Sequence, residues 1–324
     1  MDKVAHFLHI PFTGLGLYNG FRGNNWLKNR IKVFKQFVVP SLQNQSIQDM
    51  AHKGFVIWLA FRYEEKNNPQ IKELKKWLDE NINVDVVFTF SGICFYDDKY
   101  PDEIARNRLL EALHGSMGEI LNVMGEAETV LMSIQPSDDC YRSTFVNEIQ
   151  SAFRVNPKLQ AIGYDRGYIC DYKTLEIKEY NPQTNPPFYT IKFPRDIFIE
   201  PLKHLNYTAI KKDVGKYKAG TPLPSHEYPA YVFGENYGVV RQRGFLVGIH
   251  YDNISTGFDN PYAGKIVSKD ILKNFGLENS VKLNIPFSLR RIFFNNLPHS
   301  VKRKLRYWAE INRIFAYFYN WLRS

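Results

Sequence analysis

Four short apolar runs, separated by stretches of helical period, constrain this chain more than any other feature. Val4–Ile10, Gly54–Phe61 (GFVIWLAF), Val84–Phe90 (VDVVFTF) and Thr129–Ile134 (TVLMSI) are rich in β-branched and aromatic residues and read as buried strands. Between the first two, Trp26–Gln45 spaces Trp26, Leu27, Ile31, Phe34, Phe37 and Val38 as one helical face. Pro40 near its end predicts a kink or a stop. Ile71–Leu78 and Asp102–His114 also read as helices, the second ended by Gly115. Alternation of this kind predicts an α/β fold with a Rossmann-like, mostly parallel central sheet flanked by helices.

The texture changes after residue 155. Gln160–Tyr164, Tyr168–Tyr172, Thr174–Lys178 and Tyr189–Phe193 are short extended segments, and Tyr180–Phe188 is rich in turn residues. Lys211–Pro229 is a long polar loop, of a length that usually serves a function inside a domain. Tyr231–Phe233 and Phe245–Ile249 read as further strands, and Tyr262–Asn274 as holding a short helix. With no clear linker between the halves, residues 1–285 read as one domain, 1–155 and 156–285 being its two halves, followed by a helical tail over 286–324. A hydrophobic content of 44% in 324 residues supplies its core. Three cysteines without C-x-x-C spacing exclude a cysteine-rich zinc module and a dense disulfide framework.

Charge is concentrated in the tail. Of the net +9, residues 286–324 hold +7, from eight Lys/Arg against Glu310 alone. On a helical projection Val301, Leu305, Trp308, Ile311, Phe315, Phe318 and Leu322 share one face, and Lys302, Arg303, Arg306, Glu310 and Arg313 the other. Two readings fit: a basic helix lying on an anionic membrane, or a terminal helix docked on its own domain. Nucleic acid is not an expected partner, because no zinc-finger or RRM-type signature accompanies the charge. The first residues lack the pattern of a signal peptide, and no run of about 18 uncharged apolar residues occurs. A cytoplasmic location, peripheral on the inner membrane face, is the expectation.

Ser137-Asp138-Asp139 directly follows the fourth strand. In open α/β sheets ligands bind beyond the carboxyl ends of the strands. Two carboxylates there can hold Mg²⁺ or Mn²⁺ against a diphosphate. An S-D-D triplet is also a common start signal for a helix, here one beginning near Tyr141. Gly14-Leu15-Gly16 and Gly20–Gly23 form a glycine-rich loop without a Walker or dinucleotide-binding pattern.

In collinear order the chain carries His6-Phe7; Trp26-Leu27 with Arg30 and Phe34; Pro40-Ser41-Leu42 with Gln45; and Ala105-Arg106-Asn107 with Leu109 and Ala112. Ser137-Asp138-Asp139 with Phe145-Val146, Gly163-Tyr164, Asn185-Pro186-Pro187-Phe188, His226 and Phe245-Leu246-Val247 with His250, Asn253 and Ser255 follow. Over about residues 4 to 256 this order resembles the family 2-like glycosyltransferases of GT-A fold, and within them a rhamnosyltransferase family. The resemblance implies transfer of a sugar from a nucleotide-diphosphate donor to a glycan or lipid-linked acceptor. It departs at one point: the family has an Asp two places before the acidic pair, preceded by an Arg, where this chain has Pro136 and Ile134.

Under that resemblance Asp138, Asp139 and His250 are the expected ligands of Mn²⁺ or Mg²⁺, His250 having a structural role as its alternative. Phe12, Arg30, Arg62, Arg106, Asp138, Asp139 and His226 are the expected donor-binding residues. An arginine fork suits a diphosphate, though Arg106 can equally pair with Asp102 or Glu103 on its own helix. Inverting displacement needs a carboxylate base, for which Glu227 and Asp252 are the candidates, with Asp165 as a further option. Two rival functions fit the same residues: a sugar nucleotidyltransferase, and a degenerate, membrane-associated glycan-binding scaffold.

Overall fold

A computed structural model describes residues 4–13, 24–45, 54–62, 65–92, 117–182, 188–199, 230, 233–250, 257–284, 297–312, 314–315 and 318. The four expected strands form as β1 (Val4–Pro11), β2 (Phe55–Arg62), β3 (Asp85–Gly92) and β4 (Thr129–Ile134). They pair in parallel in the order β3-β2-β1-β4. Beyond β4 the sheet continues through β9 (Tyr189–Pro194), antiparallel to both neighbours, then β6 (Ala161–Tyr164) and β10 (Tyr237–Val240).

Period-two alternation divides the strand residues between two cores. Leu8 and Ile10 of β1 and Ile57, Leu59 and Phe61 of β2 face one side. There they meet Leu27, Ile31, Phe34 and Phe37 of the first helix and Ile71, Leu74 and Leu78 of α3 (Pro69–Asn81). Ala5, Phe7, Val56, Trp58, Val130 and Met132 face the other side, with Ile120, Met124 and Phe198. Burial on both faces is what a mostly parallel sheet demands, and it explains why these strands read as continuous apolar runs. The expected fold class, a mostly parallel sheet flanked by helices, is the one observed.

The first helix differs from expectation at Pro40. It runs as α1 (Asn24–Val33), a π-helical stretch (Phe34–Val38) and α2 (Val39–Gln43), with Pro40 in the first turn of α2. Val39 N–H reaches back to Phe34 O, and this wider turn carries the chain past the proline, which has no N–H to donate. The helix therefore neither stops nor loses its buried face.

A second sheet, ordered β12-β8-β7-β11-β5, packs into the first of the two cores. It comprises β5 (Cys140–Tyr141), β7 (Gly167–Asp171), β8 (Glu176–Tyr180), β11 (Phe245–Ile249) and β12 (Ala263–Val267). Three sequence expectations need correction. The helix after the acidic pair, α4 (Phe145–Val155), starts four residues later than expected, behind Thr144. Of the strand expected at Tyr231–Phe233, only Phe233 is described; it is helical, and the strand begins at Tyr237. Tyr262–Asn274 divides into β12 and a 3-10 turn (Lys269–Phe275), because the alternating AGKIV run pairs with β8. Residues 195–199 form a short helix, α5 (Arg195–Ile199).

The tail helix α6 (His299–Ile311) ends sooner than the sequence projection implies. Asn312 leaves the helical conformation, and its Oδ1 accepts the N–H groups of Ile314 and Phe315, which starts a new turn. The aromatic cluster survives this break: Trp308 packs on Phe315, and Phe315 on Phe318. No described apolar side chain of the tail belongs to either core. Trp308 is 52% exposed and Tyr307 61%.

Candidate active site

Strand order locates the site before any side chain is considered. β2 and β3 follow β1 on one side, whereas β4 returns to its other side. The chain thus reverses direction across the sheet between β1 and β4, and the crevice beyond their carboxyl ends is where such sheets bind ligands. β4 ends at Ile134 opposite His9, while β1 runs on to Pro11, and Gln135 N–H donates to His9 O at 3.1 Å.

The acidic pair lies in the loop leaving β4 and is fixed on every side. Asp139 N–H closes a turn on Pro136 O at 3.3 Å. Gln135 Nε2 donates to Asp139 O at 2.9 Å, and Tyr172 Oη to Asp138 O at 2.9 Å. Tyr141 Oη donates to Ile134 O at 2.8 Å. β5 follows at once and pairs antiparallel with β11, Leu246 opposite Cys140. This pairing sets Gly248 and His250 beside the carboxylates. Gly248 N–H donates to Asp139 Oδ1 at 2.9 Å, and His250 Nε2 shares a hydrogen bond with Asp138 Oδ2 at 2.9 Å. Neither Asp caps a helix, so the capping reading does not hold.

Arg30 completes the cluster. It projects from the last turn of α1, its guanidinium 5.2 Å from the Trp26 ring one turn earlier, and it forms an ion pair with Asp138 Oδ2. Arg30, Asp138, Asp139 and His250 are all buried. Arg30 Nε has no hydrogen-bond partner among the described residues, and neither has Gln135 Oε1.

Electrostatics separates the two carboxyls. Burial pushes the Asp138 carboxyl up, but the Arg30 charge and the His250 hydrogen bond outweigh it and hold the group well below the usual carboxylate range. Asp139 is pushed up, first by burial and then by the charge of Asp138. Cys140, next in the chain, is pushed up to about 12 by burial, which makes it a packing residue and not a nucleophile.

The three expected metal ligands are brought together, and Asp138 Oδ2, Asp139 Oδ1 and His250 Nε2 are already engaged by contacts within the protein. One oxygen of Asp138 is shared by Arg30 and His250, and Asp139 Oδ1 is taken by Gly248. A cation, the guanidinium, already lies against Asp138. No group of three or more His, Cys, Asp or Glu side chains among the described residues could hold a metal ion.

Of the expected donor-binding residues, Arg30, Asp138 and Asp139 converge here. Phe12 is buried between Phe34 and Phe61, its ring taken up in packing. Arg62 closes β2, its side chain outside the described residues. Arg106, His226, Glu227 and Asp252 lie outside the described residues, as do the glycine-rich loop at 14–23, Asn253 and Ser255. Asp165 pairs with its neighbour Arg166. Sequence reasoning missed Tyr172, Gln135 and Gly248, which hold the acidic loop in place. The glycine inside the FLVGI strand was a readable sign of close backbone approach.

No family model matches the sequence, and no curated protein matches it. Among solved structures the chain is similar to S. aureus TarS 1–349, with a TM-score of 0.39 and 11% identity, over 75% of this chain and 60% of that one. It is similar to TarS 1–349 in complex with UDP at a TM-score of 0.38 and 10% identity, over 95% of this chain and 79% of that one. Against the longer S. aureus TarS the TM-score is 0.36 at 12% identity, and the chain spans 37% of that protein's length.

Proposed function

We propose that this protein is a GT-A-like glycosyltransferase that moves a sugar, rhamnose by the sequence resemblance, from a nucleotide-diphosphate donor to a glycan or lipid-linked acceptor. The buried Asp138–Arg30–His250 cluster at the reversal point between β1 and β4 carries this reading. In it residues 1–155 hold the nucleotide and 156–285 the acceptor. The acceptor hydroxyl oxygen attacks the anomeric carbon as the bond to the diphosphate oxygen breaks. Its proton passes to a carboxylate base, Glu227 or Asp252, and the nucleoside diphosphate leaves. Charge growing on the leaving group is met by preorganised positive groups, of which Arg30 is the one already fixed in the crevice.

The tail 286–324 is the membrane contact in this reading. No helix among the described residues is long and apolar enough to cross a membrane. The exposed aromatic side chains of α6, among Lys and Arg, instead suit the surface of an anionic bilayer and an acceptor held on a lipid carrier. Full-length protein is expected to co-sediment with vesicles containing phosphatidylglycerol and to be released by Trp308→Ala with Lys302→Glu and Lys304→Glu. Equal sedimentation of both forms contradicts the membrane role.

The activity is tested by incubating the full chain with a panel of nucleotide sugars and following the phosphorus products. Release of a nucleoside diphosphate from one donor supports the reading. Release of pyrophosphate instead identifies a nucleotidyltransferase, and donor binding without any release identifies a scaffold.

A further inference from the structure

We infer that the diphosphate site works without a divalent ion, the Arg30 guanidinium standing where a metal ion would neutralise Asp138 and the donor. This rests on the donor reading above and specifies how the crevice meets its ligand. A divalent ion on Asp138 Oδ2 has to displace Arg30 and His250 from that atom, and one on Oδ1 has to settle against the fixed guanidinium charge. The displaced guanidinium is 6% exposed and lies over the Trp26 ring, so it would be left as a buried charge without its Asp138 partner. In the arrangement observed that cost does not arise.

The chemistry of the arginine favours a phosphate as its second partner. A guanidinium presents five donors in a planar fork, and the ion pair with Asp138 leaves donors of that fork in hand. Nε is one of them, buried and without a hydrogen-bond partner among the described residues. A buried donor of this kind calls for an acceptor, which a diphosphate oxygen supplies at charge-assisted strength. Asp138 acts here as a positioning residue: it holds the fork in one orientation, and His250 holds Asp138. Pro136, in place of the acid the resemblance leads one to expect, removes one more candidate metal ligand from this loop.

The test is isothermal titration of the full-length chain with UDP, GDP, dTDP, CDP and ADP, in excess EDTA and again in excess Mn²⁺, with Mn²⁺ alone followed by electron paramagnetic resonance. The expected result is one diphosphate bound with the same affinity in both buffers, and no saturable Mn²⁺ site in the wild type. Arg30→Met, checked for folding by its thermal transition, is expected to weaken that nucleotide by about tenfold or more. If Arg30→Met does not fold, Arg30→Lys, which keeps the charge and loses the fork, is expected to weaken it in the same direction. Binding that appears only with Mn²⁺, or a Mn²⁺ site lost in Asp138→Asn, overturns the inference and leaves the donor reading standing. A folded protein that binds no diphosphate in either buffer overturns both.

Discussion

His6 occupies the middle of β1 with no exposed surface, and its Nε2 shares a hydrogen bond with Ser133 Oγ at 2.7 Å, which in turn bonds Thr190 Oγ1 at 2.6 Å. Burial pushes this imidazole down from 6.5 to about 3. Below pH 6.5 the unfolded chain therefore takes up a proton that the folded chain refuses until about pH 3. Its contribution is fully present above that window and is lost as pH falls through it, by about 1.4 kcal/mol per pH unit. Urea unfolding between pH 6.5 and 4.5 is expected to give a shallower pH slope for His6→Gln than for the wild type; equal slopes contradict the assignment. Asp138 has the opposite electrostatic history, a charge kept by its partners. Arg30→Met leaves it buried without its cation, held only by the His250 hydrogen bond, with an expected loss of about 3 kcal/mol in urea unfolding at pH 7. Adding Asp138→Asn should restore much of that loss; a double variant no more stable than the single one argues against the pair. The residue types of this cluster were legible in the sequence, but the pairing was not. Arg30 and Asp138 lie far apart in the chain and meet only through the fold.

Elements were legible where both faces of a strand are buried, as in β1, β2 and β4, since apolar runs then stand out against polar turns. They blurred after residue 155, where strands such as β10 and β12 keep an exposed side and hold only four or five residues. The helix through Pro40 shows a second limit, because a π turn leaves no mark in hydrophobic spacing. β11 shows what a single glycine can encode. A Cβ placed on Gly248 runs into the Asp138 carbonyl oxygen and the Tyr172 ring. Gly248→Ala is therefore expected to cost about 1–3 kcal/mol in urea unfolding and to shift the acidic loop away from β11. A variant as stable as the wild type would show that the strand and loop are not in contact.

At the scale of the whole molecule, two sheets meet at the acidic loop. The larger one supplies the reversal point between β1 and β4, and the smaller one supplies Gly248 and His250 through the β5–β11 pairing. The sequence located the loop but not the second sheet that fixes it, because that contact depends on β-pairing between residues far apart in the chain. The described apolar side chains of the basic aromatic tail belong to neither core, and Tyr307 and Trp308 are exposed. The central claim is that the crevice between the two strand ends takes a nucleoside diphosphate. Its most direct test is the thermal unfolding midpoint of the full chain with increasing UDP, GDP, dTDP, CDP or ADP. Ligand that binds only the folded state raises the midpoint with concentration. A rise for one of these nucleotides, diminished in Arg30→Lys, is the expected result; a midpoint indifferent to all five contradicts the account.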